Sequence, residues 1–338
     1  MEARERARCA DFSPVFEGNR KWNCPSCRNG KLKRQNTGEL PLSKEEKAQK
    51  SLISSLVASI NEKEPPKDLY CKYETGAEFN VGFKADLQRN MIHHVMKTEG
   101  TGLDCMRAQF KAKDLDDCDG LPETVEVTDI YGEKQGIMPM KDLARLHDEP
   151  DKDRVHPYNS LNLDVSGSKK LRAIFSVPRV VEEDAWESRF EHAPTTSTKE
   201  EIDFPLPGKI LFYLQGRKMF FIVKPSAKNV ELFEEAVTNK YNPKPGQKTK
   251  PILTVFKGED IYTVTIKAGE MITLPAGIIH AVFTPEDSIV FMGNYLHDMG
   301  IRRQVEVQMF YEPLKIELFS NMWAIHYYAA DQNRKNIE

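Results

Sequence analysis

The chain has 338 residues, 40% of them hydrophobic and 29% charged, which suits a globular protein of about two domains with a sizeable core. Lys and Arg total 48 against 51 Asp and Glu, so the formal net charge is −3. That balance excludes a strongly basic nucleic-acid coat and leaves room only for a local basic patch; no direct nucleic-acid motif stands out. No apolar run approaches the roughly 18–20 residues of a membrane span. The opening MEARERARCADF lacks an apolar segment, so no secretory signal is expected. The 6 cysteines all lie within residues 1–118 and do not form a disulfide framework, which points to a reducing compartment.

Residues 1–40 are polar and contain WNCPSCRNGKLKR. Cys24 and Cys27 have the spacing of a zinc-ligand pair, but a structural zinc takes four ligands and only Cys9 lies upstream. Two readings stand: a zinc finger completed elsewhere, or a reduced pair without metal. Residues 31–34, KLKR, read as a weak import signal or an ordinary solvated surface. Residues 43–62 predict a helix: Ser43 and Glu46 match a capping box, and Leu52, Ile53, Leu56, Val57 and Ile60 share a face. Pro65 and Pro66 stop it.

From residue 72 onward the pattern is mixed. Residues 141–147 predict a short helix and 158–165 a strand with Leu161, Leu163 and Val165 on one side. KILFYLQGRKMFFIV at 209–223 predicts two strands turning near Gln215-Gly216. Ser226 predicts the cap of a helix running to Lys240, with Val230, Phe233 and Val237 on one face. Residues 240–251 predict a loop. IYTVTI alternates strictly, a turn at 267–270 brings MITLP back, and 281–296 predict two more strands around Pro285-Glu286-Asp287. The last residues return to helical periodicity at Leu318, Met322, Ile325 and Ala329. Many short strands with frequent turns imply a sandwich or barrel. The isolated histidines His93, His94, His147 and His156 read as surface residues, His297 as structural, and the run 114–119 as a solvated loop or helix start.

Five segments carry a family resemblance: TGLDCMRAQFKAKDLDDCDG at 101–120, YNSLNLDVSGSKKL at 158–171, IDF at 202–204, LQGRKMFFIVKPS at 214–226, and TIKAGEMITLPAGIIHAVFTPEDSIVFMGNYLH at 265–297. The last matches without a gap. Residues 91–325 resemble the JmjC family of Fe(II)/2-oxoglutarate oxygenases, most of all the histone lysine demethylases that carry a PHD-type zinc finger just ahead of that domain. WNCPSC fits the end of such a finger.

The resemblance implies an α+β fold built on a double-stranded β-helix (a cupin-type jelly roll), with flanking helices and a partial N-terminal zinc finger. It divides the chain into the finger remnant and basic tail at 1–40, a helical linker at 41–70, the JmjC domain with its α/β extension at 71–314, and a C-terminal helix at 315–338. His280 stands at the distal iron ligand and Asp203 at the carboxylate ligand. Lys218 stands at the lysine that meets the far carboxylate of 2-oxoglutarate, with Thr198 sharing that carboxylate and Asn159 lining the pocket. Cys24 and Cys27 would hold zinc in part.

Three departures accompany the matches. Glu201 replaces the first histidine of the H-x-D motif, so the iron set becomes Glu201, Asp203 and His280. The stretch between Trp186 and Ile202 is too short and polar for the family's extra strand. The aromatic pair before the lysine strand is Ile210-Leu211. The implied function is oxidative demethylation of methylated histone lysine in the nucleus, with Fe(II) and 2-oxoglutarate as cofactor and co-substrate and a histone tail, H3 foremost, or chromatin proteins as partner. The rival expectation is a catalytically impaired chromatin-binding scaffold, and a third is a different hydroxylase on the same barrel. No membrane partner is expected.

Overall fold

The computed structural model describes residues 41–60, 62–85, 91–103, 110–131, 134–148, 156–160, 163, 168–174, 178–184, 208–244, 252–295 and 301–314. The finger region, the segment with Thr198, Glu201 and Asp203, and the C-terminal helix lie outside them. The first helix, α1 (Lys44–Ser59), begins at the expected capping box. Ser43 N donates to Glu46 Oε2 at 2.8 Å, and Glu46 N donates to Ser43 Oγ at 3.1 Å. Two amides that the first turn leaves unpaired are thereby satisfied. The helix stops at Ser59, short of the expected 62, because Ile60 is extended at φ −90 and ψ 117. Leu56, Val57 and Ile60 pack against Phe221, Val223 and Phe256. Leu52 is 41% exposed, so the buried stripe is narrower than the periodicity suggests.

β1 (Tyr70–Tyr73) and β2 (Ile92–Val95) pair in parallel, with α2 (Gly76–Phe83) between them in sequence. α2 buries Phe79 and Phe83 completely or nearly so. A separate three-stranded sheet follows. In it β3 (Thr124–Asp129) lies between β4 (Lys134–Pro139) and β5 (Tyr158–Asn159), both antiparallel to it. α3 (Met140–Asp148) lends Met140 and Leu143 to the Val125 and Val127 face. Among the described residues, the strand expected over 158–165 pairs at Tyr158 and Asn159. Beyond them Ser160 Oγ donates to Glu126 O at 3.0 Å, and Leu163 packs on the same small core. Two short helices, α4 (Lys169–Ile174) and α5 (Arg179–Asp184), add Leu171 and Val180 to the cluster around Phe79, Phe83, Val95 and Met271.

The six-stranded sheet is organised by β6 (Gly208–Val223), a 16-residue strand. α6 (Ala227–Tyr241) follows, capped as expected by Ser226 Oγ, which accepts from Asn229 N at 3.2 Å. β7 (Ile261–Lys267) pairs with the second half of β6, and β8 (Met271–Leu274) with its first half. β9 (His280–Tyr295) pairs with β6 from end to end, and α7 (Ile301–Tyr311) closes the described chain. Three expectations are corrected here. Gln215-Gly216 is not a turn: β6 continues through it, and Gly216 at φ +77 absorbs a register shift against β9. Residues 267–270 do not reverse the chain. β8 carries on along β6 in the direction of β7, and Ala268 N donates to Gly216 O at 3.1 Å. Pro285-Glu286-Asp287 likewise bends β9 without ending it.

The physical reason is shared. A hairpin turn would leave half of β6 without ladder partners, whereas matched bulges bend adjacent strands together and keep them paired. Both sheets are open, and among the described residues no closed barrel is formed. The architecture is mixed α+β. No described helix is long and apolar enough to cross a membrane.

A Cβ at Gly216 would collide with the carbonyl oxygen of Asp287, and the residue already has positive φ. Gly216→Ala is expected to destabilise the protein by about 2–3 kcal/mol. Gly258→Ala, where nothing lies within 4 Å, serves as the near-neutral control. Urea unfolding of the two variants checks the difference.

Candidate functional site

The strand register decides which side chains share a face. Lys218, Phe220 and Ile222 of β6 pair with Ile266, Val264 and Tyr262 of β7. Phe220 and Ile222 pair with Val282 and His280 of β9. Residues opposite one another in a ladder point to the same side of the sheet. Lys218 and His280 therefore stand on one face, the face whose apolar layer contains Phe220, Ile222, Val264, Ile266 and Ile272. Their positions differ by the step from Lys218 to Ile222, about 13 Å along the strand at roughly 3.3 Å per residue.

His280 Nδ1 lies 2.9 Å from Ile278 O. A carbonyl only accepts, so the proton sits on Nδ1 and the lone pair on Nε2. This is the arrangement by which a backbone carbonyl orients a metal-ligating histidine. The ring also lies 6.2 Å from that of Phe220, centroid to centroid.

Lys218 is half-buried, and burial among the apolar side chains of this face lowers its pKa from the ordinary lysine value. No carboxylate among the described residues forms an ion pair with it. Its neighbour Arg217 does pair, with Glu286 at 3.0 Å, but both partners are well exposed and the bridge contributes little. A desolvated ammonium on a strand interior is an anion site in its chemistry.

The remaining expected residues are distributed as follows. Asn159 ends β5 and pairs with Thr128 in the three-stranded sheet, so no strand pairing joins it to Lys218. Thr198, Glu201 and Asp203 lie outside the described residues, as do Cys24 and Cys27.

The histidines expected at the surface are corrected by the structure. His93 is 0% exposed and His94 3%. His94 links a buried chain: Tyr70 Oη lies 2.7 Å from its Nδ1, and its Nε2 lies 2.9 Å from Glu270 Oε2. Glu270 Oε2 also accepts from Lys267 N at 2.9 Å. Burial raises the Tyr70 pKa well above the usual phenol range, with Glu64 and Glu270 adding to the shift. His93 sits between the rings of Tyr73, Phe79 and Phe83. His156 is also largely enclosed, its Nδ1 3.0 Å from Asp129 Oδ2, with side-chain exposures of 11% and 13%. The β-branched flanks of Ile92-His93-His94-Val95 were the available signal for burial.

No protein-family model matches the chain. The histone lysine demethylase PHF8 of Danio rerio is 26% identical over 261 residues, covering 71% of this chain and 24% of that protein. Lysine-specific demethylase 2A of Xenopus tropicalis is 27% identical over 272 residues, covering 70% and 23%. Lysine-specific demethylase 7B of Danio rerio is 26% identical over 231 residues, covering 62% and 38%. The resemblance to JmjC-containing histone lysine demethylases read from the sequence is thus borne out along most of the chain. The chain spans about a quarter of the length of the first two relatives.

The buried chain generates a prediction. Glu270→Ala leaves a buried imidazole without its carboxylate and is expected to cost about 3 kcal/mol. A double-mutant cycle with His94→Leu, read by urea unfolding, should show that most of this cost disappears when the imidazole is also removed.

Proposed function

We propose that the chain is a JmjC-type Fe(II)/2-oxoglutarate-dependent demethylase of methylated histone lysine, acting in the nucleus on a histone tail, H3 foremost. The observation that carries this reading is the placement of Lys218 and His280 on one face of the sheet. The donor chemistry fits the group: His280 presents an imidazole whose tautomer leaves the lone pair on Nε2. A double-stranded β-helix, as in the resemblance, would bring Asp203 and Glu201 to the same ion. Thr198 would share the co-substrate's carboxylate with Lys218, and Asn159 would line the pocket. Zinc at Cys24 and Cys27 belongs to the same reading.

When bound, iron supplies the activation of dioxygen that 2-oxoglutarate oxygenases use to hydroxylate an N-methyl group. The chain's own residues do the rest. His280 would hold the iron through its imidazole while its Nδ1 proton stays against Ile278 O. Lys218 donates to the far carboxylate of the co-substrate and fixes its orientation. Phe220, Ile222, Val264 and Ile266 exclude water, which strengthens that ion pair.

The rival reading, a silent chromatin scaffold, is favoured by one specific residue. Glu201 stands where the family has a histidine, and a second carboxylate changes the metal's affinity and redox behaviour. Calorimetry with Mn(II), with and without 2-oxoglutarate, tests the site. Parent protein should bind both, and Lys218→Ala should lose the co-substrate. Unchanged affinity in that variant would refute the assignment of Lys218. Succinate and formaldehyde release from a methylated H3 peptide would establish the enzyme. Activity that appears only in Glu201→His would instead locate the loss at that ligand.

A pH dependence follows from the lowered pKa of Lys218. Only the protonated amine pairs with a carboxylate, so 2-oxoglutarate affinity should fall as pH rises through that depressed value. The same burial penalises the charged amine in the folded state. Lys218→Met is therefore expected to raise the unfolding temperature at neutral pH, with the gain shrinking as pH rises. Calorimetric titration and thermal unfolding across pH check the two together.

A further inference from the structure

Glu46, Asp129 and His156 come from three separate elements: the first turn of α1, the end of β3, and the segment entering β5. One potential ligand atom from each lies within 4.8 Å of the others. Glu46 is 7% exposed, and the side chains of Asp129 and His156 are 13% and 11% exposed. We propose that these three residues bind a divalent transition-metal ion, Zn²⁺ being the best fit, and that the ion clamps the first helix to the three-stranded sheet.

The spacing supports this. Asp129 Oδ2 and His156 Nδ1 are 3.0 Å apart. Two ligands at about 2.1 Å from one tetrahedral ion are separated by about 3.4 Å, so an opening of a few tenths of an ångström would seat the ion between them. The other oxygen of Asp129 accepts from Tyr131 N at 3.0 Å, and Glu46 Oε2 accepts from Ser43 N at 2.8 Å. Backbone amides thus orient both carboxylates, as outer hydrogen bonds do around metal ligands. The donor set selects the ion: an imidazole disfavours Mg²⁺ and Ca²⁺, and the absence of sulfur among the three disfavours soft ions. Three protein ligands leave a fourth position for water.

This site shares no ligand with the proposed iron centre. His280 lies on the six-stranded sheet, whereas Asp129 and the β5 segment belong to the other one. The cysteine pair would compete for the ion, so the test uses the 338-residue chain carrying Cys24→Ser and Cys27→Ser. After chelation, this protein is titrated with Zn²⁺ by calorimetry and its thermal unfolding followed with and without the ion. In that background His156→Gln keeps a donor for Asp129 but ligates poorly, and Asp129→Asn keeps an acceptor for Tyr131 N. Both should bind Zn²⁺ at least about tenfold more weakly and lose the Zn²⁺-dependent rise in unfolding temperature. His280→Ala should retain that rise, so failure here and failure of the demethylase reading remain distinguishable. If circular dichroism shows either variant folded with parent-like Zn²⁺ affinity, the proposal is overturned. No Zn²⁺ binding by the His280→Ala protein overturns it equally.

Discussion

The register of β6 against its neighbours is the constraint on which the rest depends. A slip of one residue would move Lys218 to the face occupied by Met219 and Phe221 and bring Ile222 out of the apolar layer. The slip is opposed from both edges. Phe220 and Ile222 are fully buried between β7 and β9, and burying each such side chain contributes roughly 1.5–3 kcal/mol. The register shifts between β6 and β9 around Gly216 and Pro285-Asp287, and the break between β7 and β8 at residues 268–270, stand at one level of the sheet. Together they allow β6, β9 and the edge formed by β7 and β8 in succession to bend while staying paired on either side. The same bend lets β7 and β8 share one edge of β6, which leaves β8 free to pair onward to β2.

That onward pairing brings a second layer of polar chemistry inside. His94 pairs with Ile272 of β8, and Glu270 just precedes that strand. The Tyr70–His94–Glu270 chain therefore ties β1, β2 and the start of β8 through side chains where the backbone ladder is only a few residues long. Buried polar groups of this kind are tolerated because each is hydrogen-bonded. Lys218 is the exception on the same face: a cation with a lowered pKa and no carboxylate among the described residues. Stability alone gives no reason to retain it, and that is why it carries the functional reading.

α1 links the two sheets. Its C-terminal turns pack on Phe221 and Val223 of the larger sheet's other face and on Phe256 beside them, while Glu46 in its first turn reaches Asp129 and His156. Lys50, one turn further on, lies 5.5 Å over the ring of Tyr131. The helix is thus a strap held at both ends.

The local signals were legible in the sequence where the physics is local. Ser43 with Glu46 and Ser226 marked helix starts because a cap satisfies amides within three residues. IYTVTI announced β7 because alternation reports a buried face directly, and Tyr262, Val264 and Ile266 do line it. The 265–297 segment carried the family resemblance. Tertiary structure alone decided the rest. Whether Gly216 and Gly269 turn the chain or merely bend it depends on partners far away in sequence, and the bend won because it keeps every strand paired. His93 and His94 look polar in one dimension, but Tyr70, Glu270 and a cage of aromatic rings make their burial tolerable. Glu46, Asp129 and His156 are ordinary residues until three elements fold together, since a cluster is a property of positions in space and no spacing along the chain encodes it.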